Sequence, residues 1–487
     1  MNIIEVRRTG TILNPDRTRV LIRPFNFPSE QRAVNICARV MSLSEEEVRV
    51  QLEMVLSEFG ERHLQIRELL RARCERMKKY LLTNHKVSEA RSLLIGAYFT
   101  HEYALEAAAL FNPSIVPHPD QSDLPAGALR FILSLRATGE GHISSVTFRT
   151  GIVDANQKIT LNPPTRYLTE PRQVPNANYE KKLFERKLYE LHLTSPFSRR
   201  VMEELGATFT MDDLRRKINA VLRQVRATDP ESEMAARGMF LLAESNYEVQ
   251  FAPTSRVSER VIFPTSPTQT NGIEDARFVR FENEDGSRVY YATYTAYDGK
   301  LILPQLLQTP NFLDFKFSTL NGPAVQNKGM ALFPRKINGL YAMLSRQDNE
   351  NIYLMYSDNI DFWYSPELIM KPTYPWEFVQ LGNCGSPMET EAGWLVLSHG
   401  VGPMRKYCIG AFLLDHDDPS KLIGRLREPL LTPTAEEREG YVPNVVYSCG
   451  GLIHGPHLVL PYAMADHSTS FATIAVDEIL SAMELAG

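Results

Sequence analysis

The sequence predicts a mainly β protein with a helical region at its N-terminus and a helical insertion further along. Three observations carry this. From about residue 245 nearly to the end, short apolar runs follow one another with turn residues between them. Two runs of the same kind, "ALRFILSLRA" (128–137) and "HISSVTFRTG" (142–151), come earlier. Apolar residues at helical spacing fall before that pair, and again between it and the long series. Many short strands with recurring turns suit a sandwich, a barrel or a propeller. At roughly 40–50 residues per four-stranded blade, about five blades would account for the strand-rich part.

The elements follow in order. Residues 28 to 110 read as helical. "SLSEEEVRVQLEMVLSEFGERHLQIRELLRARCERMKKYLL" has the helical period, and Ser44 with Glu47 forms a capping box that satisfies free amides at a helix start. "VSEARSLLIGAYFTHEYALEAAALF" is a second helical run, stopping at "NPS" because Pro113 cannot continue it. After the first strand pair, helix returns from about 177 to 243 as "YEKKLFERKLYELHL", "SRRVMEELGA" and "TMDDLRRKINAVLRQVRA". Strands then dominate, among them "YEVQF", "RFVRF", "VYYATYTAY", "KLILPQLLQT", "LYAMLSRQ", "GWLVLSHGV" and "HLVLPYAMAD". The expected division is a helical region at 1–110 and a β domain at 111–487, with a helical insertion at about 165–243.

Composition narrows the function. At 487 residues the chain needs two or three domains, or one large architecture with insertions. Its net charge is −5 and no basic block stands out, which argues against a nucleic-acid partner. No stretch reads as a signal peptide or a membrane span. Cys37, Cys74, Cys384, Cys408 and Cys449 are scattered, without a C-x-x-C pair, so neither a disulfide framework nor a zinc site is expected and a cytoplasmic setting fits. No other metal site is indicated either. "HDD" at 416–418 reads as solvated loop before Pro419, and His454 and His457 flank a Gly455-Pro456 turn.

Chemistry concentrates around "NGIEDARFVRF" (271–281). Glu274 and Asp275 stand at a strand entrance between Asn271-Gly272 and Arg277. Acids at such a place often shape a turn; the alternative is a catalytic acid held beside an arginine. Four other segments place polar groups at strand ends: Asn327, Lys328 and Arg346; His399; Arg405, Lys406 and Tyr407; and Asp466. Singly, each reads as a solvated cation, a backbone-bonded histidine or a turn cap. Together, two fixed cations, a histidine and an amide make an oxyanion site, and guanidinium grips phosphate with two bonds.

The ordered motifs "GIEDARF", "YATYTAYDG", "NKGMALFPRKINGLYAMLSR", "WLVLSHGVG", "GAFLLDHDDPSKLIGRLREPLLTP" and "GYVPNVVYSCG…LVLPYAMAD" resemble glycoside hydrolase family 130, the β-mannoside phosphorylases and related β-1,2-mannosidases. The resemblance covers roughly 106–160 and 245–487. It implies a five-bladed β-propeller with an axial site, to which the helical regions are additions. It implies that Asp275 is the general acid, passing its proton through a hydroxyl of the bound mannose. Phosphate, an inorganic co-substrate in place of any cofactor, then attacks from the opposite face to give α-mannose 1-phosphate with inversion. By the same resemblance Asn327, Lys328, Arg346, His399 and Tyr407 bind phosphate. Asp466 lines the sugar site, with Arg136, His142 and Ser144 as first-blade contacts and Arg277 and Tyr294 as further substrate-binding residues. Ala276 and Gln347 stand where the family commonly has proline, which changes loop stiffness more than chemistry.

The leading expectation is therefore an inverting phosphorylase of β-linked mannosides, such as β-1,2-mannobiose or mannooligosaccharides. An inverting hydrolase is the second, and needs another carboxylate to activate water, roughly 6.5–9.5 Å from the acid. A non-catalytic propeller serving as a binding platform is the third. Linkage and acceptor sugar are left open, as is association into a homo-oligomer.

Overall fold

A computed structural model describes residues 4–83, 85–175, 177–224, 229–299 and 302–485. The "VRA" that ends the third insertion run, and Lys300-Leu301 at the start of "KLILPQLLQT", lie outside them.

Among the described residues four sheets carry five antiparallel units in chain order, the first two joined in one eleven-stranded sheet by the parallel pairing of Gly272 with Ser144, and two further ladders have two strands each. The first is Ala109–Pro117, Leu129–Thr138 and Ser144–Val153, with Ile159–Leu161 at its edge. The second is Gly272–Glu282, Arg288–Tyr297, Ile302–Thr309 and Asp314–Thr319, extended by Tyr247–Gln250. The third runs Ala331–Leu332, Tyr341–Ser345, Ile352–Ser357 and Pro366–Met370. The fourth is Gln380–Asn383, Gly393–Val401, Tyr407–Leu414 and Leu422–Arg425. The fifth is Val446–Tyr447, His457–Met464 and Ser468–Ala475, and its outer strand is Arg7–Leu13 from the other end of the chain. Residues 7–13 thus pair with a strand from the far end of the chain.

Apolar residues pack between successive units. Phe148 of the first meets Phe278 of the second. Phe281 clusters with Met343, Phe333 with Trp394, and Leu397 with Leu460. Phe131 of the first unit meets Phe471 of the fifth, so the series of cores returns to its start. Each such buried side chain contributes about 1.5–3 kcal/mol by leaving water.

The helices Glu30–Ser42, Glu45–Phe59, Ile66–Met77 and Glu89–Tyr98 form the head, packed beside the ladder Val20–Pro24/Thr100–Ala104. The Ser44–Glu47 capping box is present, with the Ser44 amide 2.7 Å from Glu47 Oε2. The second predicted helix ends early, at Tyr98, and the rest of that run is strand. The reason is burial: Ala109–Pro117 is buried along its whole length, and Glu106 is fully buried between Arg149 (2.7 Å) and Arg19 (3.5 Å). "NPS" is a bulge, with Asn112 at φ 48° and a register shift between Phe111 and Ser114, not a helix end.

The insertion is helical as expected: Lys181–Glu190, Pro196–Glu203, Met211–Leu222 and Pro230–Glu244 enclose their own core of Phe184, Phe197, Leu214 and Met239. It also touches the second and third units. Glu190 Oε1 accepts the backbone N–H of Gly322 at 2.9 Å, and Arg186 lies over the Phe362 ring.

Candidate functional site

Polar side chains converge where the first strands of the units begin and the turns between their second and third strands fold over. The first strands and the loops entering them bring Asn112, Asp275, Arg277, Asn327, Lys328, Asn383 and Tyr447; Arg136 comes from the end of the strand Leu129–Thr138, and the turns bring Arg346, Arg405 and Asp466.

Asp275 lies inside the strand Gly272–Glu282, not in a turn before it. Glu274 pairs with Thr295 and Arg277 with Thr293, so Asp275 and Ala276 together oppose one residue, Tyr294. Such a bulge re-aims a side chain, and Asp275 pays for it with a left-handed backbone at φ 53°. Its Oδ1 accepts from Asn112 Nδ2 at 2.6 Å and lies 3.5 Å from Arg136 Nη1. Burial pushes this carboxyl up, but Arg136, Lys328 and Arg277 outweigh it and hold Asp275 below the usual aspartate range. Arg136 also bonds Glu274 at 2.8 Å, and Lys328 lies 3.7 Å from the same carboxylate.

Asp466 sits on the last turn with φ 50°. Burial, then the charge of Asp275, raise it to about 6 against the opposing pull of Arg136, Arg405 and Lys328. Two carboxyls of one site are thus driven apart, one held ionised and one near neutrality.

Arg277 and Arg346 are both buried. Arg277 donates to the carbonyls of Gly329 and Asn383 and to the Tyr447 hydroxyl. Arg346 Nη1 donates to His399 Nε2 at 2.9 Å. Neither is within ion-pair distance of a carboxylate among the described residues, and the Nε of each is buried and unpaired. A Cβ on Gly329, at φ +94°, would lie 3.6 Å from Arg346 Nε and 3.7 Å from an Arg277 terminal nitrogen, so this glycine opens the space between them. Asn327 bonds the carbonyl of Arg346, and Tyr407 stacks parallel to His399 at 6.0 Å.

Three expected residues sit otherwise than anticipated. Tyr294 points away from the cluster, into the core against Phe317, and its hydroxyl is taken by Gln305 (2.5 Å) and Gln269 (3.0 Å). Strand alternation explains this, because Thr293 and Thr295 take the opposite face. Ser144 is fully buried and accepts from Arg136 Nε at 2.8 Å, so it props that arginine and is closed to a ligand. His399 is buried with Nε2 committed to Arg346, so that nitrogen cannot donate to an anion. His142 stays exposed on its turn, stacked on Tyr441. Asn112 and Tyr447 join the cluster unanticipated, and Glu274, noted in the sequence beside Asp275, is there as the partner of Arg136. A bulge signature, asparagine before proline, was the available signal for the first.

The family model described as beta-1,4-mannooligosaccharide phosphorylase matches residues 239–485, and the chain belongs to this family, glycoside hydrolase family 130. Among its relatives, a 1,2-beta-oligomannan phosphorylase of Thermoanaerobacter sp. (strain X514) is 34% identical over 231 residues, 46% of this chain and 75% of that protein. A beta-1,2-mannobiose phosphorylase of Listeria innocua serovar 6a is 32% identical over 236 residues, 46% of this chain and 63% of that one. The solved structure of beta-1,2-mannobiose phosphorylase from Listeria innocua with beta-1,2-mannobiose aligns at 21% identity with a TM-score of 0.46, covering 77% of this chain and 92% of that chain.

Proposed function

We propose that the chain is an inverting phosphorylase of β-linked mannosides that transfers a mannosyl unit to inorganic phosphate, giving α-mannose 1-phosphate and a shortened sugar. β-1,2-Mannobiose and β-1,2-oligomannans are the favoured substrates, in line with the names of the relatives that match over the greatest length. The five units are read as blades of a five-bladed propeller, supported by the run of interblade cores that returns from the fifth unit to the first. The head and the insertion are additions to it. All five cysteines are unpaired and buried, which suits a reducing cytoplasm. No helix among the described residues is long and apolar enough to cross a membrane.

One observation carries phosphorolysis over hydrolysis. Arg277 and Arg346 are buried cations side by side, and among the described residues neither has a carboxylate within ion-pair distance. A buried charge left uncompensated costs several kcal/mol, and an entering phosphate dianion supplies the missing counter-charge. On this reading Asn327, Lys328, Arg346 and Tyr407 meet the phosphate, with His399 fixing Arg346. Arg277 lines the same pocket. Asp466, Arg136 and His142 meet the sugar. Asp275 serves the leaving oxygen through a sugar hydroxyl. Phosphate opposite the acid attacks the anomeric carbon as the glycosidic bond breaks.

Incubation with β-1,2-mannobiose, with and without phosphate, tests this. Mannose 1-phosphate formed only with phosphate is the expected result. Free mannose released at equal rates in both would overturn the reading in favour of a hydrolase, and no reaction on any β-mannoside would leave a binding platform.

A further inference from the structure

We infer that the cleft between the helical head and the strand units is a second binding site, and that it takes a small organic phosphate monoester. The site lies apart from the cluster around Asp275 and does not depend on how that cluster is read.

The cleft has a volume of about 320 Å³. The helix Ile66–Met77 gives it Arg73 and Arg76, three residues apart and so on one face. The strand Val20–Pro24 gives it Arg23, and the segment ahead of the insertion gives it Glu170. These four are the charged residues that line it. Arg23 pairs with Glu170 and lies over the Phe263 ring, 4.0 Å from its centre. Arg73 and Arg76 make no hydrogen bond or ion pair among the described residues.

Three guanidiniums thus face one carboxylate. The crowding is felt at Arg73, where burial, then the charges of Arg76 and Arg23, hold the group below the ordinary arginine range. Burial raises Glu170 in spite of the same three cations. Two positive charges are left without a counter-charge. A phosphate monoester near neutral pH carries close to two negative ones. Guanidinium forks from two elements suit its several oxygens, which one ligand carboxylate would not fill.

The remaining wall calls for an organic body. Leu69, Val249 and Phe263 make it largely apolar, with Gln173 and Thr265 as polar points. A cavity of this size, mostly apolar with a few placed polar groups, fits a small molecule. Its phosphate meets the arginines of the head. Its body meets Val249, on the outer strand Tyr247–Gln250 of the second unit, and Phe263. Head and strand units each supply part of the site, so the occupant bridges them.

Calorimetric titration of the full chain with glucose 6-phosphate, adenosine monophosphate, inorganic phosphate and unphosphorylated glucose tests this. At least one of the two esters should bind, at one per chain, about tenfold or more tightly than inorganic phosphate or glucose. Its affinity should be the same in Arg346→Ala, which separates this site from the cluster around Asp275. Arg73→Gln combined with Arg76→Gln should weaken the ester about tenfold or more. Glu170→Gln, which removes the competing carboxylate, should tighten it about threefold. Opposite signs in the two variants cannot come from a disturbed fold. Failure of both esters to bind would overturn the inference, as would an ester held equally well without Arg73 and Arg76. Inorganic phosphate bound as tightly as the better ester would overturn it in favour of a bare anion site. Glucose bound as tightly as glucose 6-phosphate would overturn it in favour of a neutral sugar. Weaker binding in Glu170→Gln would overturn the charge balance on which it stands.

Discussion

Arg346 Nη1 donates to His399 Nε2 at 2.9 Å, so the imidazole presents a lone pair there and carries its proton on Nδ1. Burial first, then the charges of Arg346 and Arg277, hold His399 well below the ordinary histidine range. It stays neutral at physiological pH and acts by orienting the arginine.

Arg346→Ala should raise the apparent KM for phosphate by about a hundredfold, since a charge-assisted pair contributes about 1.5–3 kcal/mol and more when buried. KM for the mannoside should change far less. Arg346→Lys should recover only part, because a point charge lacks the planar fork. His399→Gln, which keeps an acceptor, should be milder than His399→Phe. The His399 ring resonances, followed by NMR, should not titrate between pH 5 and 8; a midpoint in that window would contradict the neutral assignment.

Asp466→Asn should lose activity yet gain stability. The Asp466 carboxyl binds its proton up to about pH 6 in the folded chain, against an ordinary value of 3.8. Between those values the folded state holds more protons than the unfolded one, so stability falls as pH rises through the window. Above it the ionised group costs on the order of 3 kcal/mol. The amide escapes this cost. Denaturant melts should therefore show Asp466→Asn ahead of wild type at pH 7–8, with the gap closing toward pH 4. A gap independent of pH would refute the linkage.

Much of this site could be read from residue order, and the parts that could not share a cause. Lys328, Arg346 and Asp466 sit in loops or turns and Asp275 near the start of a strand, where an unexplained polar residue is conspicuous. Asn112 was hidden because a bulge in a fully buried strand looks, in one dimension, like a helix stopped by Pro113. Tyr294 was misplaced for the converse reason. The bulge at Asp275 and Ala276 shifts the register, and only the pairing shows which face of the next strand meets the acid. The helices of head and insertion were legible from their period and caps. The chain's first strand was not, because its partner, Ser468–Ala475, lies at the far end of the sequence.

The insertion should influence the loop that carries Asn327 and Lys328 through one carboxylate. Glu190 bonds Lys187 at 2.7 Å, Arg186 at 3.1 Å and the Gly322 amide at 2.9 Å. Gly322 has φ +108° and no room for a Cβ, which would meet the Trp363 carbonyl at 1.9 Å. From Gly322 the loop runs to Asn327 and Lys328, held on the way by Gln347 on the Ala324 carbonyl at 2.9 Å. Glu190→Ala should raise the phosphate KM a few-fold and leave mannoside KM alone, while Glu190→Gln, still an acceptor, should stay closer to wild type. Equal kinetics in all three proteins would show that the insertion docks without affecting the loop.

As the proposed acid Asp275 delivers a proton, yet Arg136, Lys328 and Arg277 hold it ionised. Binding of phosphate adds two negative charges beside those cations. It offsets the pull that keeps the carboxyl deprotonated, so the proton affinity of Asp275 rises as the anion enters. Phosphate binding should then take up protons. Calorimetric titrations in buffers of different ionisation enthalpy, above pH 7.5 where phosphate is mainly the dianion, should give buffer-dependent heats of the sign for uptake. Asp275→Asn should lose turnover by about a hundredfold or more, since an amide cannot donate this proton. It should bind phosphate at least as well as wild type, because a carboxylate that repelled the anion is gone, and its binding heats should no longer depend on buffer. Wild-type heats equal in every buffer would show that Asp275 does not acquire its proton at this step. Turnover near wild type in Asp275→Asn would remove it from the role of acid altogether.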